Sequence, residues 1–336
     1  MAGLLQALVS GLAAGSIYAL IALGLVLLYR TTNVLNFAHG EFGLLGTFVA
    51  FTLLHGAGLP YGLALLLSLL AALLLGGFNS LLLVKPGRAA LAVGLGVLAG
   101  ALAYGLAAAW WVTALVAVLT GVLAFARLEP TARTPNALGL IILTLGVSLA
   151  LGGFYALYFG TDNKVIPPLV PDVPLRLGGA AVSQLSLLTS GIGVGLMLLL
   201  WLLLSRTKIG LAMRATAQRE DVAKAMGLPV RTVLFATWGV SALLAAAAAL
   251  LLAPTTLLSP AMMLDPISKG FVAAVIGGMT SLPGAILGGY VLGVLELLVG
   301  VYLSNEFRAS FAFLAVLVVL VLRPHGLLGK PEVRRV

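Results

Sequence analysis

No cysteine occurs in the 336 residues, so disulfides, thiolate nucleophiles and cysteine metal sites are excluded, and nothing marks the redox compartment. Charge is nearly as scarce. Only 9% of residues are Asp, Glu, Lys or Arg, where a soluble domain carries roughly 25%, and no soluble domain of useful size can be cut from the chain. The three histidines, His39, His55 and His325, are too scattered for a metal cluster. No G-x-x-x-x-G-K-[ST] pattern is present, so ATP has no P-loop to bind; GLLGK at 326–330 falls short of it and runs into Pro331. Paired carboxylates and nucleophile motifs are also missing. These absences describe a chain that is not an enzyme and needs no cofactor of its own.

What is present is hydrocarbon: 61% of the residues are hydrophobic. A spanning helix takes about 20 apolar residues, with roughly 17–25 tolerated. On that rule the spans fall at 9–28, 34–53, 61–84, 89–108, 110–126, 137–159, 187–204, 233–252, 267–283, 285–303 and 309–323. The pair 267–283 and 285–303, joined at SLPGA, reads either as two spans or as a re-entrant hairpin. The expected fold is all-α: a single polytopic membrane bundle over 1–336, with about 9–11 helices. The first apolar run has no charged region before it and no cleavage site, so it is expected to be retained.

Charge sets the orientation. With the N-terminus outside, the inner loops gather fifteen of the 19 Lys and Arg: Arg30, Lys85, Arg88, Arg127, Arg133, Arg206, Lys208, Arg214, Arg219, Lys224, Arg231, Arg323, Lys330, Arg334 and Arg335. The outer loops hold Lys164, Arg176 and Arg308, with Lys269 near the outer boundary and expected to reach it by snorkelling. Positive loops stay in the cytoplasm. The net charge of +9 therefore reports topology, and no continuous patch suits a nucleic acid.

Residues 205–232 are the largest charged island, lying between two membrane-length runs. Glu220 and Lys224 stand at i, i+4 with the acid first, and Gly227 then Pro229 end a helix. A short helix is expected from Gln218 to Met226, with Val222, Ala225 and Met226 on its apolar side. It reads either as a knob for a groove on another protein or as an interfacial helix on lipid headgroups. The outer loop, 160–186, carries Pro167, Pro168, Pro171 and Pro174, which favour an extended path; it reads as a docking surface or as a stiff connector.

Two further features lie inside the spans. Asn36, His39, Gly40 and Gly43 fall at i, i+3, i+4 and i+7, on one helical face, with Glu41 offset from it. They either line or gate a pathway or start a helix at the water interface. Glu296 is the only acid in mid-span, and a carboxylate there needs a partner or a proton; a proton-coupling role and a quietly satisfied buried acid are both open. Gly277, Gly278, Gly284, Gly288, Gly289 and Gly293 cluster, with GxxxG spacing at 284/288 and 289/293 that suits close helix packing.

GSIYALIALGLVLLYRTTNVLNFAHGEF near the N-terminus, GLAMRATAQREDVAKAMGLPVRTV, KGFVAAVIGGMTSLPGAILGGYVLGVLELLVGVYLSNEFR and RPHGLLGKPEV resemble the LivH-type permeases of bacterial branched-chain amino-acid ABC importers. The resemblance covers 10–54 and about 137–336. It implies that 205–232 is the coupling loop, with Arg214, Arg219, Glu220, Asp221, Ala223, Met226 and Gly227 meeting an ATPase subunit. It further implies a second homologous permease, two ABC ATPase subunits carrying ATP and Mg, an external substrate-binding protein, and a location in the bacterial plasma membrane. The cargo so implied is leucine, isoleucine or valine; members carrying urea, amides or other amino acids are the alternative. A rival from another class is an ion-coupled secondary carrier using Glu296, Glu41 and His39. The chain departs from the family pattern at 85–126, which adds apolar length for an extra helix pair.

Overall fold

Residues 2–32 carry a single charge, Arg30, and apolar side chains on every face. A helix that is apolar all round belongs inside. In the structure, a computed structural model describing residues 2–80, 137–177 and 180–329, this helix (α1, Ala2–Thr32) is the central post, and Ala19, Leu20, Ile21 and Ala22 are wholly buried. It is followed by α2 (His39–His55), α3 (Tyr61–Asn79) and α4 (Ala137–Phe159). A hairpin of β1 (Pro174–Leu177) and β2 (Ala180–Ser183) leads into α5 (Gln184–Arg206), then α6 (Lys208–Gln218) and α7 (Glu220–Ala225). The chain continues with α8 (Val230–Leu252), α9 (Leu264–Gly277), α10 (Leu282–Tyr302) and α11 (Phe307–Leu322).

Six described helices, α1, α3, α4, α5, α8 and α10, are long and apolar enough to cross a membrane. The fold is thus the expected all-α polytopic bundle. Every span expected outside 85–126 overlaps a helix, whereas those at 89–108 and 110–126, the extra pair, lie outside the described residues.

Where two small residues face each other, backbones meet. A Cβ on Gly289 would stand 2.5 Å from the Ala19 amide nitrogen, and one on Gly15 would stand 2.9 Å from the Tyr290 Cα, so α1 and α10 run in backbone contact. On the other side of the molecule, a Cβ on Gly76 of α3 would land on the Ala242 Cβ of α8, and one on Gly46 of α2 would lie 2.7 Å from the Ala246 Cβ. In lipid, close packing of this kind does the work that water-driven burial does elsewhere. The glycines Gly277, Gly284 and Gly288 set a second close approach: a Cβ on Gly277 would collide with the Gly284 carbonyl, and one on Gly288 with that of Ala273, so α9 and α10 form a tight hairpin.

The 267–303 region is not two equal spans. α10 has 21 residues, but α9 has only 14. At 1.5 Å per residue α9 covers about 21 Å, short of a hydrocarbon core of roughly 30 Å. The irregular segment 253–263 precedes it, and Met263 at its end is 2% exposed. Opposite the basic end, the proline-rich segment is extended as expected: Lys164 and Leu258 exchange two backbone hydrogen bonds of 2.9 Å, and β1 pairs antiparallel with β2, Pro174 opposite Ser183. Ser183 then caps α5 by accepting from the Ser186 amide at 3.2 Å, with its own hydroxyl given to Asp172 at 2.6 Å.

Candidate functional site

α1 stops because Asn33 takes a left-handed φ of +52° while its amide still bonds the Tyr29 carbonyl at 2.8 Å. Asparagine is the residue after glycine that most readily accepts this conformation. The chain then runs unwound through Val34–Ala38. Asn36 Oδ1 accepts from the Ala38 amide at 3.0 Å, and the Asn36 carbonyl accepts from the His39 amide at 3.3 Å. Asn36 therefore sits ahead of α2, and the expected single face of Asn36, His39, Gly40 and Gly43 starts only at His39. The asparagine turn thus satisfies the Ala38 and His39 amides just where α2 begins.

His39 is fully buried, its ring against Gly24 of α1, where a Cβ would lie 2.5 Å from Cε1. Ser241 of α8 gives its one proton to the Gly24 carbonyl at 2.9 Å, so at 3.3 Å it accepts from His39 Nδ1. Gly24 lies eight residues before the end of α1, which at 1.5 Å per residue places the start of α2 about 12 Å inside the bundle. Gly24→Val would push the imidazole out of its slot, and melting of the purified protein should show a loss of about 1–3 kcal/mol.

Glu41, two residues on, faces α4. Its Oε1 accepts from Ser148 at 3.4 Å, and Tyr155 donates to its backbone carbonyl at 2.9 Å. Thr144, one turn before Ser148, gives its hydroxyl to the Ile141 carbonyl at 2.9 Å and accepts from the Phe37 amide at 3.4 Å. Thr144, Ser148 and Tyr155 thus present hydroxyls along one face of α4, against the unwound segment and the start of α2. Glu41 Oε2 has no hydrogen-bond partner among the described residues.

Glu296 is treated differently. It is 0% exposed, and Oε1 takes Lys269 Nζ at 2.7 Å and Arg308 Nε at 2.9 Å. Lys269 also bonds Asp265 at 2.8 Å and lies 5.8 Å from the Tyr18 ring centroid. The expected snorkelling of Lys269 does not occur: it is 7% exposed and turns inward to the carboxylate. Two charges of each sign join α9, α10 and α11. The sequence held half the clue, since Glu296 is an acid in mid-span that needs a partner, but its pairing with Lys269 depends on how the α9–α10 hairpin folds.

At the basic end, residues 205–232 form two helices where one was expected. α6, which the sequence does not announce, is capped by Thr207, whose Oγ1 accepts from the Gly210 amide at 3.0 Å. α7 is bounded by Arg219 in extended conformation and carries the Glu220–Lys224 pair at 2.6 Å. Gly227 closes it with φ +79°, its amide on the Lys224 carbonyl at 3.0 Å. Ala223 turns inward on Val230 and Leu234, while Val222 and Met226 face out, Met226 being 78% exposed. Arg214, Arg219 and Asp221 lie at the surface of the same loop. Behind this loop a cleft of about 200 Å³ is lined by Arg30, Trp201, Met213, Arg214 and Leu282. Nearby, the amides of Leu327 and Leu328 bond the last carbonyls of α9, Ile276 at 2.8 Å and Gly277 at 3.0 Å. Among the described residues no group of three or more His, Asp or Glu could hold a metal.

A polytopic bundle with an irregular chain at depth and a rigid exposed loop at its basic end has the build of a membrane transport protein. The chain belongs to the family described as branched-chain amino acid transport system / permease component, which matches residues 7–322. It is 31% identical over 341 residues to the high-affinity branched-chain amino acid transport system permease protein BraD of Pseudomonas aeruginosa, covering 99% of this chain and 98% of that one. It is 30% identical to LivH of Salmonella typhimurium, covering 99% and 97%, and 26% identical to a probable LivH of Methanocaldococcus jannaschii, covering 94% and 89%. A solved structure, PsaBC from Streptococcus pneumoniae in complex with Fab, aligns over 92% of this chain and 94% of that one at 17% identity, with a TM-score of 0.33. That likeness carries no argument. The protein is a multi-pass membrane permease component.

Proposed function

We propose that this permease is one membrane subunit of an ATP-driven importer of leucine, isoleucine and valine in the plasma membrane. It pairs with a second, similar permease and receives its cargo from an external binding protein. Two ATPase subunits, which carry the ATP and Mg, dock on the basic loop. The reading is supported by the names of the relatives and by one geometric observation: α7 stands out from the bundle, anchored by Ala223 and presenting Val222 and Met226 to an absent partner. The loop carries six of the fifteen inner basic residues, which place it in the cytoplasm facing the ATPases. ATP-driven closure of those subunits moves α7, and α5 and α8, which flank the loop, carry the motion into the bundle. The geometry at Glu296 favours this reading over a carrier built on that carboxylate, because Lys269 at 2.7 Å and Arg308 at 2.9 Å tie it into the fold.

Gly227 tests the loop. Nothing lies within 4 Å of a Cβ built on it, so a side chain is opposed by its φ of +79° alone. That conformation costs an L-residue about 1–2 kcal/mol. In proteoliposomes holding both permeases, the ATPases and the binding protein, Gly227→Val should cut ATP-driven leucine uptake by about tenfold or more. Uptake at full rate with the ATPases still bound would show that the loop does not couple them.

A further inference from the structure

Glu296 is buried and Glu41 half-buried among the helices, and among the described residues only Glu296 meets a counter-charge. Glu296 has its counter-charges inside the protein, Lys269 and Arg308. Glu41 forms no ion pair with any described residue; its sole side-chain partner is the Ser148 hydroxyl on Oε1 at 3.4 Å, and Oε2 is unpartnered. An ionisable group held at membrane depth is expensive, and such groups face a cavity or a partner of opposite sign. The backbone is unwound at Val34–Ala38, and irregular chain at depth is tolerated where it lines a cavity or is buried in protein. Across from it, α4 sets the hydroxyls of Thr144, Ser148 and Tyr155 along one face, and a Cβ added at Gly152 would be 3.8 Å from Oε1 and 4.0 Å from Oε2.

We infer that Glu41 receives the ammonium end of a zwitterionic cargo as it passes between α2 and α4. This deepens the importer reading and rests on it. An ammonium brings three N–H donors and a full positive charge, and charge-assisted bonds to a carboxylate are about twice as strong as neutral ones. Oε2 takes the cation while Ser148 holds Oε1 in place. The Ser148 and Tyr155 oxygens, whose protons go to Glu41, keep lone pairs that accept from the passing ammonium. Glu41 is also the third residue of α2, where a negative charge favours the helix dipole; a purely structural role of that kind predicts no dependence on the cargo's amine.

The test uses the assembled transporter in nanodiscs without the binding protein, so that its selectivity does not intervene, and saturation-transfer NMR as the readout. Three probes are compared: L-leucine, 3-methylbutylamine, which keeps the ammonium and lacks the carboxylate, and 4-methylpentanoate, which keeps the carboxylate and lacks the amine. Leucine and the amine should bind saturably, and the acid about tenfold more weakly or worse. Glu41→Gln should erase that preference while eluting as the same assembled species, and Glu41→Asp should restore part of it. Equal binding of leucine and the amine-free acid to the unaltered protein overturns the inference. So does absence of any leucine signal, or a preference that survives Glu41→Gln. Uptake assays with the binding protein and ATP separate the two levels. A transporter that moves no leucine refutes the importer reading, whereas leucine uptake without amine preference in the seam refutes only the role of Glu41.

Discussion

Glu296→Gln should destabilise the protein by about 3–5 kcal/mol, the cost of removing one partner from a buried ion pair. The neutral amide keeps the shape and loses the charge, leaving Lys269 at 7% exposure and the half-buried Arg308 without the carboxylate that both bond. Purified protein should melt earlier, and much of it should fail to elute as a single species. Lys269→Met should be milder, because Arg308 still neutralises Glu296 and Asp265 is exposed to water. The informative control is Glu296→Leu with Lys269→Met and Arg308→Leu together. Replacing a whole buried network by apolar groups is often neutral, so the triple variant should recover most of the stability lost in Glu296→Gln. If the single change leaves melting untouched, the cluster contributes nothing to the fold.

Gly293→Val should be nearly as severe. A Cβ at Gly293 would fall on the Gly15 backbone and lie 2.7 Å from the Gly11 carbonyl. Neither neighbour is the far end of a flexible side chain, so α1 and α10 must separate along their whole contact. Overpacking costs about 1–3 kcal/mol where side chains can shift, and more where they cannot; the upper part of that range is expected here. Gly195 on α5 is the control, since nothing lies within 4 Å of a Cβ built there. Gly195→Val should melt within about 0.5 kcal/mol of the unaltered protein, in the range of surface changes away from special features, while Gly293→Val falls well below it. Equal melting of the two would remove the argument for backbone contact between α1 and α10.

The bundle itself is legible in the sequence because span length is set by the bilayer, and apolar runs of that length are rare outside it. The charged loop is legible for a similar reason, and Gly227 with Pro229 marks its end correctly. What stays hidden shares one cause. α6 is hard to see because its start depends on Thr207, a cap that only a formed turn reveals. Periodicity alone makes Val34–Ala38 a helix, since the pattern continues through residues that the Asn36 turn takes out of the helix. The role of Lys269 and the seam on α4 depend on which helices are neighbours. Periodicity along one helix carries no such information, and Thr144, Ser148 and Tyr155 become visible only once α4 lies against α2.

The hydrogen bonds from Leu327 and Leu328 to the carbonyls of Ile276 and Gly277 also bear on the order in which the molecule is made. The α9–α10 turn is synthesised well before the residues that satisfy its carbonyls. Until α11 has been inserted and the chain has doubled back, the end of α9 stays open at the membrane surface. Gly278, at φ +107°, leaves room there for the Gly329 backbone and for nothing larger. A strap made late thus closes a hairpin made early.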